Sequence, residues 1–357
     1  MVDLGQFVDD VANAIYAQYE KQAELEETRG YLGASQIGKE CERALWYDHR
    51  WATKEKFEGR MLRLFETGHL AEPRFMKNLR DIGCEVYDAD PATGRQFAFT
   101  GTAGHAKGHM DGCGCHIPGG GDKWHVLEFK THSSKSFADL KKNGVKKSKP
   151  QHFIQIQWYM GKSSMTRALY LAVNKDTDEL HSERIEFDPI VYEQIEAKFQ
   201  RIIFAAEPPS RLSEDPKFYL CNWCSHNAVC HNNATPDPSC RTCVHSTVET
   251  CGDGAWTCEL AKQVIPITVQ RTGCPDHLTL PFLVTYAVPV NAGAGWIRFQ
   301  RKDNGKEFYM VGQNMVATDK TIPTYTSAEI AACKDHRAIG NAEVESIRSA
   351  FQGEIVG

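Results

Sequence analysis

The chain has 357 residues, of which 41% are apolar and 24% charged, and this composition argues against a disordered protein. Its length exceeds what one average domain needs, so we expect a core domain with an appendage. The net charge of -5 excludes a protein that binds nucleic acid through bulk positive charge, but is compatible with a local basic stretch. Because no apolar window is long enough to span a membrane and no signal-peptide pattern opens the chain, we expect a cytoplasmic protein without membrane contact.

Two amphipathic helices are predicted first, over residues 3–27 and 57–82, and Pro73 should kink or divide the second. Short strands are then predicted at residues 84–87, 96–100, 106–110 and 124–130. The last two flank the glycine-rich stretch 112–121, so we expect them to pair as a hairpin across that loop.

The chain then alternates between helices and strands. Helices are predicted at residues 133–142, from Pro150 onward and at 190–206, with strands at 167–173 and 182–187. We therefore expect an α/β domain over residues 1–235. A linker rich in Pro, Asp and Ser opens residues 236–357, which we expect to form a zinc-binding, β-leaning accessory domain with a hairpin at 296–311.

Three charged residues in the predicted hairpin form the main candidate site. Asp111 ends one strand, whereas Glu128 and Lys130 lie two apart on the next and so project from the same face, opposite Leu127 and Phe129. Two neighbouring carboxylates suit Mg²⁺ or Mn²⁺, and an ammonium beside them can orient or deprotonate a water and support charge on a phosphorane. The pattern is typical of phosphodiester hydrolysis, although alternating charges on a solvated strand face are also common.

Residues on the flanking helices support this interpretation. His69 and Glu72 are spaced i, i+3 on the upstream helix and offer a further metal ligand. Gln155 and Tyr159 are spaced i, i+4 downstream and are able to hold a scissile phosphate or the lysine.

Together these motifs resemble the RecB-like nucleases of the PD-(D/E)XK superfamily over about residues 30–235. The resemblance implies a restriction-endonuclease-like core, a mixed sheet flanked by helices. It also implies metal ligation by His69, Asp111, Glu128 and the Phe129 carbonyl, action of Lys130 on the attacking water, and support from Gln155 and Tyr159. Glu72 is a rival to His69, because the related lambda-exonuclease-like group uses a helix glutamate in this region.

Thirteen cysteines in a cytoplasmic protein indicate metal binding rather than disulfides. Cys221, Cys224 and Cys230 lie within ten residues, and His226 or His231 would complete a zinc site with them. The resemblance to the iron-sulfur members, such as the AddB nuclease domain and CRISPR-associated RecB-like exonucleases, implies instead that Cys41 is the fourth ligand of a 4Fe-4S cluster.

A second cysteine set begins with the pair Cys240 and Cys243, whose two-residue separation is typical of a zinc knuckle. We predict a structural zinc site formed by these two residues with Cys258 and Cys274. His277 is the substitute for the last ligand, and Cys251 is the expected spare.

A lysine-rich stretch leads from the predicted catalytic strand to the Gln155 helix and includes a single acid, Asp139. Such a run is usually a solvated surface, but here it borders the metal site and is expected to follow a phosphate backbone. The candidate DNA-binding residues are Lys135, Lys141, Lys142, Lys146, Lys147 and Lys149.

The sequence therefore predicts a Mg²⁺- or Mn²⁺-dependent deoxyribonuclease, with an exonuclease favoured over an endonuclease. We expect it to act on single-stranded DNA or duplex ends in recombination, repair or phage DNA metabolism, in the bacterial cytoplasm and possibly with a recombination or repair partner. The alternative is a non-catalytic nucleic-acid-binding assembly subunit that retains the nuclease fold. The chain contains no GxxxxGK[ST] sequence, which argues against helicase activity.

Overall fold

The computed structural model describes residues 4–313, 315, 319–333 and 335–351. Its α-helices are, in chain order, α1 (Leu4–Leu25), α2 (Glu42–Arg50), α3 (Gly59–Asp81), α4 (Ser134–Ser148), α5 (Pro150–Ser163), α6 (Pro189–Ile203), α7 (Tyr219–Asn222), α8 (Asn227–His231), α9 (Ile267–Gln270), α10 (Ser327–Ala332) and α11 (Ala342–Phe351). Its strands are β1 (Leu32–Gly33), β2 (Glu85–Tyr87), β3 (Ala98–Gly101), β4 (Ala106–His109), β5 (Gly112–Cys115), β6 (His125–His132), β7 (Arg167–Asn174), β8 (Leu180–Glu186), β9 (Ser246–Val248), β10 (Trp256–Cys258), β11 (Gln263–Val264), β12 (Ala287–Gly293), β13 (Trp296–Arg301), β14 (Glu307–Val311) and β15 (Thr324–Tyr325).

The chain divides into two compact units that exchange short segments. The first contains the residues up to Lys39 with Lys56–Thr102 and Ala106–Gln200, and the second contains Glu40–Glu55, Ala103–His105 and the chain from Arg201 onward. The composition shift near residue 235 therefore does not coincide with the boundary between the units. Residues 40–55, early in the chain, belong with the C-terminal part because their contacts are made there.

The first unit is built on a five-stranded mixed sheet in the order β2-β5-β6-β7-β8. The central pair, β6 and β7, is parallel, whereas the β5–β6 and β7–β8 pairs are antiparallel. Strands β6 and β7 are joined through helices α4 and α5, as a parallel connection requires. The prediction of an α/β fold with a mixed sheet and helices is thus confirmed.

Strand β6 is buried on both faces, and its two faces have opposite character. Leu127 and Phe129 pack in a core cluster with Phe75, Met76 and Leu79 of α3. The Phe129 ring stacks on the Phe75 ring, with 5.0 Å between centroids. Alternate residues of the same strand project from the opposite face, so apolar packing against α3 fixes where Glu128 and Lys130 lie.

The predicted hairpin between residues 106–110 and 124–130 is wrong. Strand β4 pairs with β1 and β3 in a separate sheet, and residues 112–115 of the predicted loop form β5, which is the partner of β6. A Gly-Cys-Gly-Cys strand has little β propensity, but all four residues are buried, so tertiary packing decides its conformation. Of the two expected effects of Pro73, division of the helix does not occur, because α3 continues through this residue.

The second unit contains α2 and two sheets, with the strand orders β11-β10-β9 and β12-β13-β14-β15. Their strand pairs are antiparallel, except that β14 and β15 are parallel. The predicted hairpin at 296–311 is confirmed as β13 and β14, with Trp296 opposite Val311. The core of this unit includes Phe299, Phe308 and Tyr325, which are fully buried.

Candidate active site

Asp111 lies beside β6 although β4 does not pair with that strand. Its Oδ2 accepts a hydrogen bond of 2.7 Å from the backbone N–H of Phe129. Gly112, the next residue, pairs with Leu127 in the β5–β6 register, which places Asp111 one step further along, opposite Glu128. The sequence-predicted neighbourhood of Asp111 and Glu128 is therefore present, but it arises through β5.

Glu128 is completely buried at the centre of the candidate site. Its Oε1 lies 2.5 Å from Lys130 Nζ, and its Oε2 accepts a 3.4 Å hydrogen bond from Gln155 Nε2. Burial raises the pKa of Glu128 to about 7, with Lys130 opposing the shift and Asp111 adding to it. Oε1 is buried, and among the described residues the Lys130 ammonium is its polar partner.

The Lys130 ammonium lies between the two carboxylates. Its Nζ is 4.0 Å from Asp111 Oδ2, and it donates a 3.0 Å hydrogen bond to the Phe129 carbonyl. Burial disfavours the charged form, but Glu128 and Asp111 outweigh it and raise the pKa of Lys130. As long as both carboxylates carry their full charge, this lysine is an ammonium and a hydrogen-bond donor.

Tyr159 supports the site from helix α5. Gln155 Nε2 donates to the Tyr159 hydroxyl at 3.4 Å, and that hydroxyl donates to the His109 carbonyl at 2.7 Å. Because His109 precedes Asp111 by two residues, the tyrosine fixes the backbone from which Asp111 extends. The predicted pairing of Gln155 with Tyr159 is thus seen in the hydrogen bonds.

Glu72 interacts electrostatically with the carboxylate cluster. Burial, and then the charge of Asp111, raise the pKa of Glu72, while His69 and Lys130 oppose the shift. Glu72 also contributes to the raised pKa of Glu128. His69 is exposed on α3, and its charge acts on Glu72. These electrostatic interactions make Glu72, the rival to His69, a candidate third acid of the site.

Two glycines allow the backbone to approach the site closely. A Cβ atom at Gly112 would lie 2.5 Å from the Tyr87 carbonyl oxygen. At Gly108 it would lie 2.7 Å from both Ala34 Cβ and Tyr159 Cε1. Both distances are far below van der Waals contact, so any larger residue at either position would displace the strands that hold Asp111.

Three polar residues on the Glu128 face of the sheet were not predicted from the sequence. Tyr170 lies directly opposite Glu128 on β7. Its hydroxyl is 2.8 Å from His132 Nε2 and 2.9 Å from His152 Nδ1. The alternation of Leu169, Tyr170 and Leu171 could have indicated that Tyr170 shares a face with Glu128, but only the helix packing brings the histidines to it.

The lysine-rich stretch forms most of α4, with a break at Gly144, where φ is 71°. Lys135, Lys142, Lys146 and Lys147 are exposed. Lys141 forms an ion pair with Glu179 at 2.5 Å, whereas Lys149 is largely buried and lies 3.6 Å from Asp139. The helix prediction ended at residue 142, whereas the helix extends through six further residues to Ser148.

The first cysteine set belongs to the second unit. One cavity is lined by four cysteines together with His226 and His231, although the first cysteine lies 180 residues before the second: Cys41, Cys221, Cys224 and Cys230. Burial, and then the neighbouring thiols of Cys41 and Cys230, raise the pKa of Cys221. His226 Nε2 lies 2.9 Å from Asp48 Oδ1, so this imidazole is already engaged elsewhere.

The second cysteine set is also close in space. Burial and the neighbouring thiols of Cys243, Cys274 and Cys258 raise the pKa of Cys240 to about 11. The backbone N–H of Ala261 donates to Cys258 Sγ at 3.4 Å. His277 is buried, with Nε2 at 3.0 Å from the Ser239 carbonyl and 3.2 Å from Thr242 Oγ1, and Cys251 is exposed.

Among the described residues, no group of three or more His, Cys, Asp or Glu side chains is arranged so that it could hold a metal ion as it stands. At the carboxylates, the Lys130 ammonium occupies the space between the acids. Within the same part of the chain, no helix is both long and apolar enough to cross a membrane.

No family model and no curated protein matches this chain. Among solved structures, SSO0001 is 14% identical over 62% of this chain and 96% of its own, with a TM-score of 0.39. The alkaline exonuclease LHK-Exo from Laribacter hongkongensis is 16% identical over 52% of this chain and 90% of its own, with a TM-score of 0.37. A structure of LHK-Exo in complex with dAMP has a TM-score of 0.35, over 53% of this chain and 89% of that one. Likenesses at these TM-scores do not by themselves assign a fold family or an activity.

Proposed function

We propose that this chain is a metal-dependent DNA nuclease that hydrolyses phosphodiester bonds. The observation that carries the proposal is the convergence of Asp111, Glu128 and Lys130, with Lys130 Nζ 2.5 Å from Glu128 Oε1 and 4.0 Å from Asp111 Oδ2. Charged groups are costly to bury, so a buried cluster with two acids in proximity is more economically explained by catalysis than by stability.

The donor set suits a hard divalent cation. Glu128 Oε1 is a buried carboxylate oxygen paired with the Lys130 ammonium, and Asp111, Glu72 and the Phe129 carbonyl supply further oxygen donors nearby. Bound Mg²⁺ or Mn²⁺ would polarise the scissile phosphate and lower the pKa of a water. Binding requires Lys130 to move from between the carboxylates, because its ammonium lies where a cation would be attracted.

Lys130 then has a defined role. The two carboxylates are the reason its pKa is raised, so sharing their charge with a cation lowers that pKa again. The lysine would orient the attacking water and stabilise charge that develops on the phosphate, while Gln155 holds Glu128 in place. Exposed lysines on α4 would contact the DNA backbone beside the carboxylate cluster.

The cavity lined by Cys41, Cys221, Cys224 and Cys230 fits the donor set of a 4Fe-4S cluster, which is held by four cysteine thiolates. These residues would join the start of the second unit to its middle. The unfolded chain has no preformed site, so cluster binding would contribute directly to folding stability.

The second set, Cys240, Cys243, Cys258 and Cys274, fits a structural zinc site. The contacts favour Cys274 over His277 as the fourth ligand, because the imidazole is buried among Ser239 and Thr242. Zinc bound per chain should fall in Cys274→Ser and stay unchanged in Cys251→Ser, a matched exposed cysteine. Equal zinc in both variants would contradict this ligand set.

The biological setting we favour is DNA end processing or single-strand degradation in recombination, repair or phage DNA metabolism. A panel of circular and end-labelled linear DNA, single- and double-stranded, tests it with Mg²⁺, Mn²⁺ and EDTA. Cleavage of linear DNA alone would indicate an exonuclease, and cleavage of circles an endonuclease. Binding without cleavage in every metal would instead support the alternative, a non-catalytic assembly subunit.

A further inference from the structure

A row of four polar side chains runs from α4 across the sheet to α5. Ser136 Oγ lies 3.2 Å from His132 Nδ1, and His132 Nε2 lies 2.8 Å from Tyr170 Oη. Tyr170 Oη is in turn 2.9 Å from His152 Nδ1. His132 and Tyr170 are buried, whereas His152 is partly exposed. The row therefore has a buried middle and an accessible end at His152.

That accessible end lies at the carboxylate cluster. Tyr170 is the register partner of Glu128 on the neighbouring strand. His152 precedes Gln155 by three residues on α5, so the two share a face of the helix, and Gln155 reaches Glu128 at 3.4 Å. His152 is thus placed next to the groups proposed to act on DNA.

Both histidines are neutral at physiological pH. Burial, and then Lys149 and Lys130, lower the pKa of His132 to about 4. For His152, burial followed by Lys130, His132 and Lys149 lowers the pKa to about 3. A neutral imidazole has one N–H and one lone pair, and a hydroxyl donates once. Each hydrogen bond of the row can therefore be donated in the direction from Ser136 toward His152. In that direction His152 Nδ1 accepts from Tyr170, and the N–H of His152 is on Nε2.

We propose that His152 is a phosphate-binding residue, whose Nε2–H donates to a non-bridging oxygen of the DNA backbone. Tyr170, His132 and Ser136 are positioning residues that fix this tautomer. The proposal rests on the proposed nuclease function. A phosphate oxygen is a hydrogen-bond acceptor, so its binding favours the direction of the hydrogen bonds that places an N–H on His152 Nε2. A neutral imidazole also adds no positive charge beside Lys130.

The test combines DNA affinity with the protonation pattern of the histidine. The 357-residue chain, with its histidines labelled with ¹⁵N, is bound to a short single-stranded oligonucleotide in Ca²⁺. We expect His152 to show the Nε2–H tautomer. We also expect His152→Phe, which keeps a ring but has no donor, to retain the circular dichroism spectrum and to weaken binding about tenfold, the loss of one hydrogen bond to a charged group. Tyr170→Phe should retain the circular dichroism spectrum, shift His152 toward a mixture of tautomers and weaken binding less. Gln151→Ala, an exposed neighbour, is the control and should bind normally.

The inference is overturned if His152 carries its proton on Nδ1 in the complex, or if folded His152→Phe binds DNA as the wild type does. Cleavage by the wild type with undiminished affinity in His152→Phe would reject the inference and leave the nuclease function standing. Loss of affinity in His152→Phe, in a protein that cleaves nothing in any metal, would support the phosphate site and reject the nuclease. A wild type that binds no DNA would reject both.

Discussion

The Phe129 backbone N–H donates a 2.7 Å hydrogen bond to the carboxylate of Asp111. Phe129 meanwhile stacks its ring on Phe75 of α3, on the opposite face of the sheet from Glu128. One residue therefore fixes an acid of the candidate site through its backbone and anchors the catalytic strand through its side chain. Apolar packing on one face of β6 thus determines the position of the charged groups on the other.

Glu72 is expected to matter more than His69 for metal binding. Glu72→Gln removes a charge that acts on both Asp111 and Glu128, so the metal concentration for half-maximal cleavage should rise about tenfold or more. His69→Gln, one helical turn away and exposed, is the matched variant and should change it less. The measurement is a titration of cleavage rate with Mn²⁺. A larger effect in His69→Gln would restore the histidine as the ligand.

Metal binding should weaken as the pH falls below about 7. The pKa of Glu128 is raised to about 7 by burial, so below this pH the carboxyl is protonated and a cation has to displace the proton. The metal concentration for half-maximal cleavage should therefore rise by about tenfold for each pH unit below 7 and level off above pH 7. A value that stays flat from pH 5.5 to 7.5 would contradict the raised pKa.

Exposed lysines of α4 should contribute to DNA binding according to whether their charge is already paired. Lys142 and Lys147 are exposed, whereas Lys141 is paired with Glu179 at 2.5 Å. Replacing the first two by Ala should reduce the salt dependence of duplex binding by about 0.9 in slope for each phosphate that is no longer neutralised. Lys141→Ala is the control and should have a smaller effect. Fluorescence anisotropy at several salt concentrations measures the slope for each variant. Equal slopes in the wild type and all variants would exclude contact between these α4 lysines and the DNA backbone.

Iron content should depend on a cysteine far from the other three in sequence. Cys41→Ser is expected to lose iron and the visible absorption of the cluster after anaerobic purification, and to unfold at a lower temperature. Cys251→Ser, an exposed thiol outside the cavity, should retain both. Colourless wild-type protein that contains zinc without iron would reject the cluster and favour a zinc site in this cavity.

Periodicity and residue type predicted most of the helices and strands of the first unit, because burial patterns follow from the two repeat lengths of helix and strand. Strand β5 escaped prediction, since Gly112 and Gly114 carry no side chain to mark an apolar face. Their role depends on close backbone packing against Tyr87 and Val86, which no local pattern reveals.

The candidate site likewise combines residues that local spacing predicted with contacts that depend on the tertiary structure. Spacing along single elements paired Glu128 with Lys130 and Gln155 with Tyr159, whereas Asp111 was predicted through a hairpin that does not form. Hydrogen bonds or ion pairs link all five residues in space. The preference for Glu72 over His69 depends on how α3 lies against β6. The Ser136–His132–Tyr170–His152 row joins four elements, so only the tertiary structure brings its members together.

Cleavage by variants of the three central residues tests the proposed function most directly. End-labelled single-stranded DNA is incubated in Mg²⁺ and in Mn²⁺ with Asp111→Ala, Glu128→Gln and Lys130→Ala, with Asp122→Ala as an exposed carboxylate control. Circular dichroism verifies that each variant is folded. We predict metal-dependent cleavage by the wild type and the control, and a loss of at least about a hundredfold in each of the three variants. Undiminished cleavage by all three folded variants would contradict the assignment of this site.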